Sequence, residues 1–264
     1  MKGRLTLRFA ALGYLGALLV VPVGLIFYRT FERGLSAAWS SVTTPEAQHA
    51  FWLSFLMVAI AVPLNTVFGV STALLLERRE FRGRSLLNSL IDLPFAISPV
   101  VVGLALILLY GRTGWFGDEL AENGIRVIFS VPGMVLATIF VSLPFVVREV
   151  MPVLREVGTE QEQAAATLGA SGWQTFWRIT LPAIRWGVGY GVVLTTARAL
   201  GEFGAVSVVS GHIRGQTESL TLHVEDRFQS FDLTGAYAAS VVLALLALLV
   251  LLSMNLLKRR GGEA

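Results

Sequence analysis

Runs of apolar residues long enough to cross a bilayer recur along this chain, at about residues 9–27, 51–76, 86–110, 127–147, 183–209 and 235–257. About 20 apolar residues span the hydrocarbon layer, and inside it each backbone amide must find its partner within the protein. The runs therefore predict an all-α polytopic membrane protein of about six transmembrane helices, with residues 1–264 forming a single transmembrane domain. A composition 54% hydrophobic and only 15% charged, with a mean hydropathy of +0.67, excludes an ordinary soluble domain. The first run follows Lys2, Arg4 and Arg8 as a signal peptide would, but it is longer than a signal core and reads as an uncleaved anchor.

Charge placement sets the orientation. Lys2, Arg4, Arg8, Arg78, Arg79, Arg82, Arg84, Arg148, Arg155, Arg178, Arg185, Lys258, Arg259 and Arg260 fall on one side of the six runs. The other side holds Arg29, Arg33, Arg112, Arg126, Arg214 and Arg227. An excess of Lys and Arg marks the cytoplasmic face, so both termini and the loop at residues 158–182 are expected there. The same placement accounts for a pI near 9.6 without nucleic acid. The chain has no Cys and three His, and no metal site is readable. Pro63, Pro94, Pro99, Pro132 and Pro144 lie in or near the runs and can bend helices. Gly187 and Gly191 read as a close-packing pair.

The loop at 158–182 is a polar island. Thr159 and Glu162 have capping-box spacing before the Ala164–Ala166 run, and Gly169 suits a left-handed closing residue. Ser171 and Gln174 repeat the box, and Trp173, Phe176, Trp177 and Thr180 share one helical face, whose Trp173, Phe176 and Trp177 are expected to pack on the spans. The segment thus reads as helix, Gly turn, helix. A helix so short, with so small an Ala face, needs another surface for stability, and it reads either as a docking element or as an ordinary connector on the membrane.

Arg198 and Glu202 stand out within the fifth run. An Arg at that depth costs about 2.5–3.5 kcal/mol, so it must face protein or water, and a Glu four residues on shares its face. Two readings stand: an ion pair that fixes packing, or a face lining a permeation route in which Arg198 attracts an anion. Asp92, nearer a span end, is a lesser candidate of the same kind. In the polar loop after Val209, His212 and Arg214 meet an anion or are simply solvated, while the Leu220 to Phe231 stretch lies at the interface or dips inward.

Two resemblances sharpen these readings. Gln163-Ala164-Ala165, then Gly169, Ile179 and Leu181-Pro182, resembles the EAA loop of ABC-importer permeases, with the Glu of that pattern replaced by Gln163 and displaced to Glu162. The resemblance implies a type I (MetI-like) permease fold with cytoplasmic coupling helices. It also implies that Glu162, Gln163, Ala164, Ala165, Gly169, Ile179, Leu181 and Pro182 meet an ATPase. The segment 198–205 resembles the fifth span of sulfate and molybdate permeases. Segments 92–101, 143–152 and 207–215 are more similar to the W-type permeases of sulfate/thiosulfate importers, although Thr221 and Asp226 depart from the pattern.

That family implies a permease in the bacterial inner membrane translocating sulfate or thiosulfate by alternating access. Its partners are two ATPase subunits that hold ATP and Mg, a related T-type permease, and a periplasmic sulfate/thiosulfate-binding protein. Arg198, Glu202, His212 and Arg214 are then candidates for the pathway or its gate. The chain has no phosphate-loop lysine, since Lys2 and Lys258 are its only lysines and neither follows a Gly. No Ser/His/Asp or paired-carboxylate constellation is readable either, so a non-catalytic subunit is expected. A molybdate or tungstate permease, a stand-alone channel and a secondary carrier are the competing readings.

Overall fold

The computed structural model describes residues 2–261, with side chains for residue 8 and for residues 10–254. The side chains of Lys2, Arg4, Lys258, Arg259 and Arg260, which enter the charge count, lie outside the described residues. The fold is helical, with no strand among the described residues. In chain order the α-helices are α1 (Lys2–Phe31), α2 (Leu35–Val42), α3 (Pro45–Arg78), α4 (Arg84–Ala96), α5 (Pro99–Tyr110), α6 (Gly117–Glu122) and α7 (Val131–Val157). They continue as α8 (Glu160–Thr167), α9 (Gly172–Thr175), a π-helical turn (Phe176–Thr180), α10 (Leu181–Leu200), α11 (Gly204–Val209), α12 (Leu220–Gln229) and α13 (Leu233–Gly261).

Four stretches, Ala10–Phe31, Pro45–Arg78, Val131–Val157 and Leu233–Met254, are long and apolar enough to cross a membrane. Two of the six expected spans are not single helices. The run at 86–110 is divided into α4 and α5, which meet at 112°. Pro99 is the cause: it opens α5, and its ring forces the preceding Ser98 out of helical geometry, to φ −59 and ψ 135. Pro63, Pro94 and Pro144 instead sit inside helices that run on through them. The run at 183–209 is interrupted too, because α10 ends at Leu200 and α11 starts at Gly204. The two second halves lie together. A Cβ on Gly204 would stand 3.0 Å from Pro99 Cβ, and one on Gly103 2.7 Å from Val208 Cβ.

α7 is the axis of the bundle, packing on α3, α10, α4, α5 and α11. Glycine permits its closest crossings: a Cβ on Gly69 would lie 2.5 Å from Val146 Cβ, and one on Gly191 only 2.8 Å from Val146 Cα. The pairing of Gly187 with Gly191 is therefore used as expected, against α7. Apolar clusters fill both ends, one around Met57, Met134 and Val206, the other around Leu76, Val150 and Ile184. Between them, buried Asn65 donates from Nδ2 to Ser142 Oγ at 2.8 Å and to Ile139 O at 3.0 Å. An unpaired amide at that depth would cost about 1–3 kcal/mol, so this contact fixes the register of α3 on α7.

After Val209 the chain dips inward at residues 217–223, while Phe228 and Phe231 at the end of the stretch remain exposed. Leu220 and Leu222 are fully buried and α12 rests on α3 and α13. His223 is buried there with Glu218, Nδ1 lying 3.0 Å from Oε1.

Candidate functional site

The chain leaves α7 at Gly158, whose φ of 67 turns it sharply into α8. The expected capping box of Thr159 with Glu162 does not form. Thr159 is itself near-helical, at φ −114 and ψ −2, and makes no side-chain cap bond. Its Oγ1 accepts from Gln163 Nε2 at 3.0 Å instead. Glu162 has been drawn to Arg78, whose Nε lies 3.0 Å from its Oε2, and it also accepts from Thr180 Oγ1 at 2.9 Å. A charge-assisted fork in a half-buried setting outweighs a neutral amide cap, which is why sequence spacing alone misassigned this carboxylate.

The far end of α8 closes as expected. Gly169 takes φ 84, its amide donates to Ala166 O at 3.0 Å, and the Ala170 amide reaches Ala165 O at 3.0 Å, the paired bonds of a Schellman closure. Ala165 is the buried residue of α8, and Gln163, Ala164, Ala166 and Gly169 are exposed. Leu168, 88% exposed, leaves a small, apolar, unpartnered tip. At α9 the second box is present: Ser171 Oγ accepts from the Gln174 amide at 3.3 Å, and Gln174 Oε1 accepts from the Ser171 amide at 2.9 Å.

Trp173, Phe176 and Trp177 cluster, with ring centroids 5.3–6.1 Å apart. The expectation that all three pack on the spans is corrected. Phe176 joins the apolar cluster of α3 and α7, but Trp173 is 71% exposed and Trp177 is half exposed. The π-helical turn at Phe176–Thr180 is wider than 3.6 residues, so the predicted single face is not maintained. Leu181 packs on the same cluster, Ile179 is half-buried, and Pro182 stands exposed in the first turn of α10.

At the other end of α10, Arg198 Nη1 lies 2.5 Å from Glu202 Oε2. The pair is not the intrahelical one expected, because Gly201 ends the helix and Glu202 stands in the break. Its other oxygen accepts from the Ala205 amide at 2.8 Å, capping α11, and its backbone carbonyl accepts from Thr221 Oγ1 at 2.8 Å. Glu202 is buried and Arg198 keeps 29% of its side chain exposed. The remaining candidates sit apart from this pair. His212, at φ 53, places Nε2 2.9 Å from Ser207 O. Arg214 turns to α12, donating from Nη2 to Asp226 Oδ1 at 2.8 Å and to Ser230 Oγ at 3.1 Å. The hydrogen bond and charge of Asp226 push the Arg214 pKa up.

Sequence reasoning missed two contributors. Arg78 entered it only as a topology charge, and Arg148 as a topology charge and as part of a matching segment. Arg148 donates from Nε to Asp92 Oδ1 at 2.7 Å and forms a second, shorter contact with Oδ2, locking α4 to α7. Nothing local to either arginine names its partner.

The chain is 53% identical over 250 residues to the sulfate transport system permease protein CysW of Synechococcus elongatus, covering 95% of this chain and 87% of that protein. It is 50% identical to CysW of Escherichia coli strain K12, over 92% of this chain and 84% of the other. It is 39% identical to the E. coli K12 sulfate transport system permease protein CysT, over 93% and 89%. Its fold matches a chain in the crystal structure of a bacterial ABC transporter that imports the acidic polysaccharide alginate. That match has a TM-score of 0.80 at 18% identity, covering 96% of this chain and 94% of that one. Residues 65–261 match the family described as binding-protein-dependent transport system inner membrane component, and the chain belongs to that family.

Proposed function

We propose that this chain is a permease subunit of an ATP-driven importer that carries sulfate or thiosulfate across the bacterial inner membrane. The observation that carries the coupling part is α8: a short helix closed by Gly169, with an exposed apolar tip at Leu168. Such a tip fits a groove on another subunit. The sulfate part rests on the CysW relatives, at 53% and 50% identity.

In this reading Gln163, Ala164, Gly169 and their neighbours dock into one of two ATPase subunits, which hold ATP and Mg, and this chain does no catalysis of its own. A related T-type permease completes the membrane pair, and a periplasmic binding protein delivers the anion. Both termini and α8 face the cytoplasm, in keeping with the Arg and Lys excess. ATPase closure moves α8, the spans rock as rigid bodies, and a cavity opens outward. Arg198 draws the oxyanion while Glu202 holds the guanidinium in place. His212 and Arg214 lie toward the outer mouth.

The test is reconstitution with the ATPase, the T-type permease and the binding protein in proteoliposomes. ATP-dependent uptake of labelled sulfate is expected. Uptake that proceeds without ATP, or no uptake of sulfate and thiosulfate by an assembled complex, overturns the proposal.

A further inference from the structure

One guanidinium, with the carboxylate it holds, ties α8 to three other helical segments. Arg78, the last residue of α3, donates from Nε to Glu162 Oε2 at 3.0 Å and from Nη2 to Glu162 Oε1 at 3.2 Å. The same Nη2 reaches Gly158 O at 2.7 Å, and Nη1 reaches Leu154 O at 3.1 Å. Both carbonyls belong to the end of α7, where the helix has run out of amide donors and a cation is favoured. Glu162 in turn accepts from Thr180 Oγ1 at 2.9 Å, which brings in the entry to α10. Water is largely excluded, with the two side chains only 15% and 22% exposed. α8 otherwise packs chiefly on its chain neighbours, α9 and the π-helical turn.

We infer that Arg78 is the positioning residue through which displacement of α8 reaches the spanning helices, and that Glu162 acts within this chain rather than as a contact to the ATPase. The inference rests on the docking role proposed for α8. A stroke delivered to a helix of 8 residues moves the bundle only if the joint between them is stiff. A planar fork bonded to a carboxylate and to two carbonyls is such a joint, and an ammonium on a flexible stem is not. Glu162 bonds to both Arg78 and Thr180, so α3, α7 and α10 take up the movement together. Without the fork, α8 keeps only the Thr180 bond to Glu162 and its packing on α9 and the π-helical turn, and is left to swing on Gly158, whose φ of 67 marks the turn.

The test uses the full complex in proteoliposomes and reads sulfate imported per ATP hydrolysed. Arg78→Gln is expected to keep the ATPase bound and hydrolysing while import per ATP falls about tenfold. Arg78→Lys recovers only part, and Arg78→Gln with Glu162→Gln is no worse than Arg78→Gln alone, as for two residues of one linkage. The exposed neighbour Arg79, changed to Ala, keeps the wild-type ratio. An unchanged ratio in Arg78→Gln overturns the inference, and so does a loss of ATPase binding that parallels the loss of import. If Arg78→Gln fails to assemble, wild-type ratios in both Arg78→Lys and Glu162→Gln overturn it instead, and a fall in either upholds it. A wild-type complex without ATP-dependent import would instead sink the proposed function.

Discussion

Arg198 closes on Glu202 across a helix break, with 2.5 Å between Nη1 and Oε2, while the other carboxylate oxygen caps α11 at the Ala205 amide. One acid therefore performs two tasks: it neutralises a cation within the bundle and fixes the start of the next helix. Removing the base leaves a buried charge; removing the acid also frees a helix end.

The two variants should accordingly differ. Arg198→Ala is expected to reduce sulfate uptake at least about tenfold, because it strips the group proposed to attract the anion and leaves a buried Glu202 without its ion-pair partner. Glu202→Gln should keep the Ala205 contact and lower uptake less than Glu202→Ala. Uptake kinetics in an assembled complex decide this, and an unchanged KM and rate in Arg198→Ala would reduce the pair to packing.

Gly191 is closed in by backbone. A Cβ there meets Val146 Cα at 2.8 Å, so Gly191→Ala must push α10 away from α7. The expected cost is about 1–3 kcal/mol, seen as a lower Tm of the detergent-solubilised protein. Gly13→Ala, with nothing within 4 Å of the added carbon, serves as the silent comparison. Equal Tm values for the two variants would contradict the close crossing.

Gly169 has space but a demanding backbone. At φ 84, with no atom within 4 Å of an added Cβ, a side chain there is opposed by conformation rather than by a clash. Gly169→Leu should loosen the Schellman closure, at about 1–2 kcal/mol, and uncouple ATP hydrolysis from transport. Gly169→Asn, whose side chain tolerates the left-handed region, should lose less. ATPase and uptake rates measured together separate the cases.

Arg214 supplies a pH prediction. Its pKa is raised by the hydrogen bond and charge of the Asp226 carboxylate, so whatever stability the guanidinium gains on folding is fully present around neutral pH. That contribution is lost only as pH climbs past the raised value, far above the physiological range. Because the Arg214 side of the pair is exposed, Arg214→Gln should shift Tm little, and the shift should be the same at about pH 6 and about pH 9. A shift that changes between those two values would contradict this account of the pair.

The amino-acid sequence by itself determined the all-α membrane class, the number and rough places of the apolar runs, the Gly169 closure and the Ser171 with Gln174 cap. These signals are local: a run length, a periodicity, a positive φ that glycine accommodates, a donor and acceptor three residues apart. The tertiary structure alone decided where the long polar side chains went. Glu162 had a plausible partner in Thr159 and took Arg78 instead, 84 residues away along the chain, because packing α3 beside α7 brings a guanidinium to the carbonyls of Leu154 and Gly158. The break after Leu200 and the bend at Ser98 likewise meet only because α5 lies on α11. A charge in a poorly solvated bundle binds the strongest partner within reach, and which partners are within reach is settled by helix crossings that the spacing of residues does not encode.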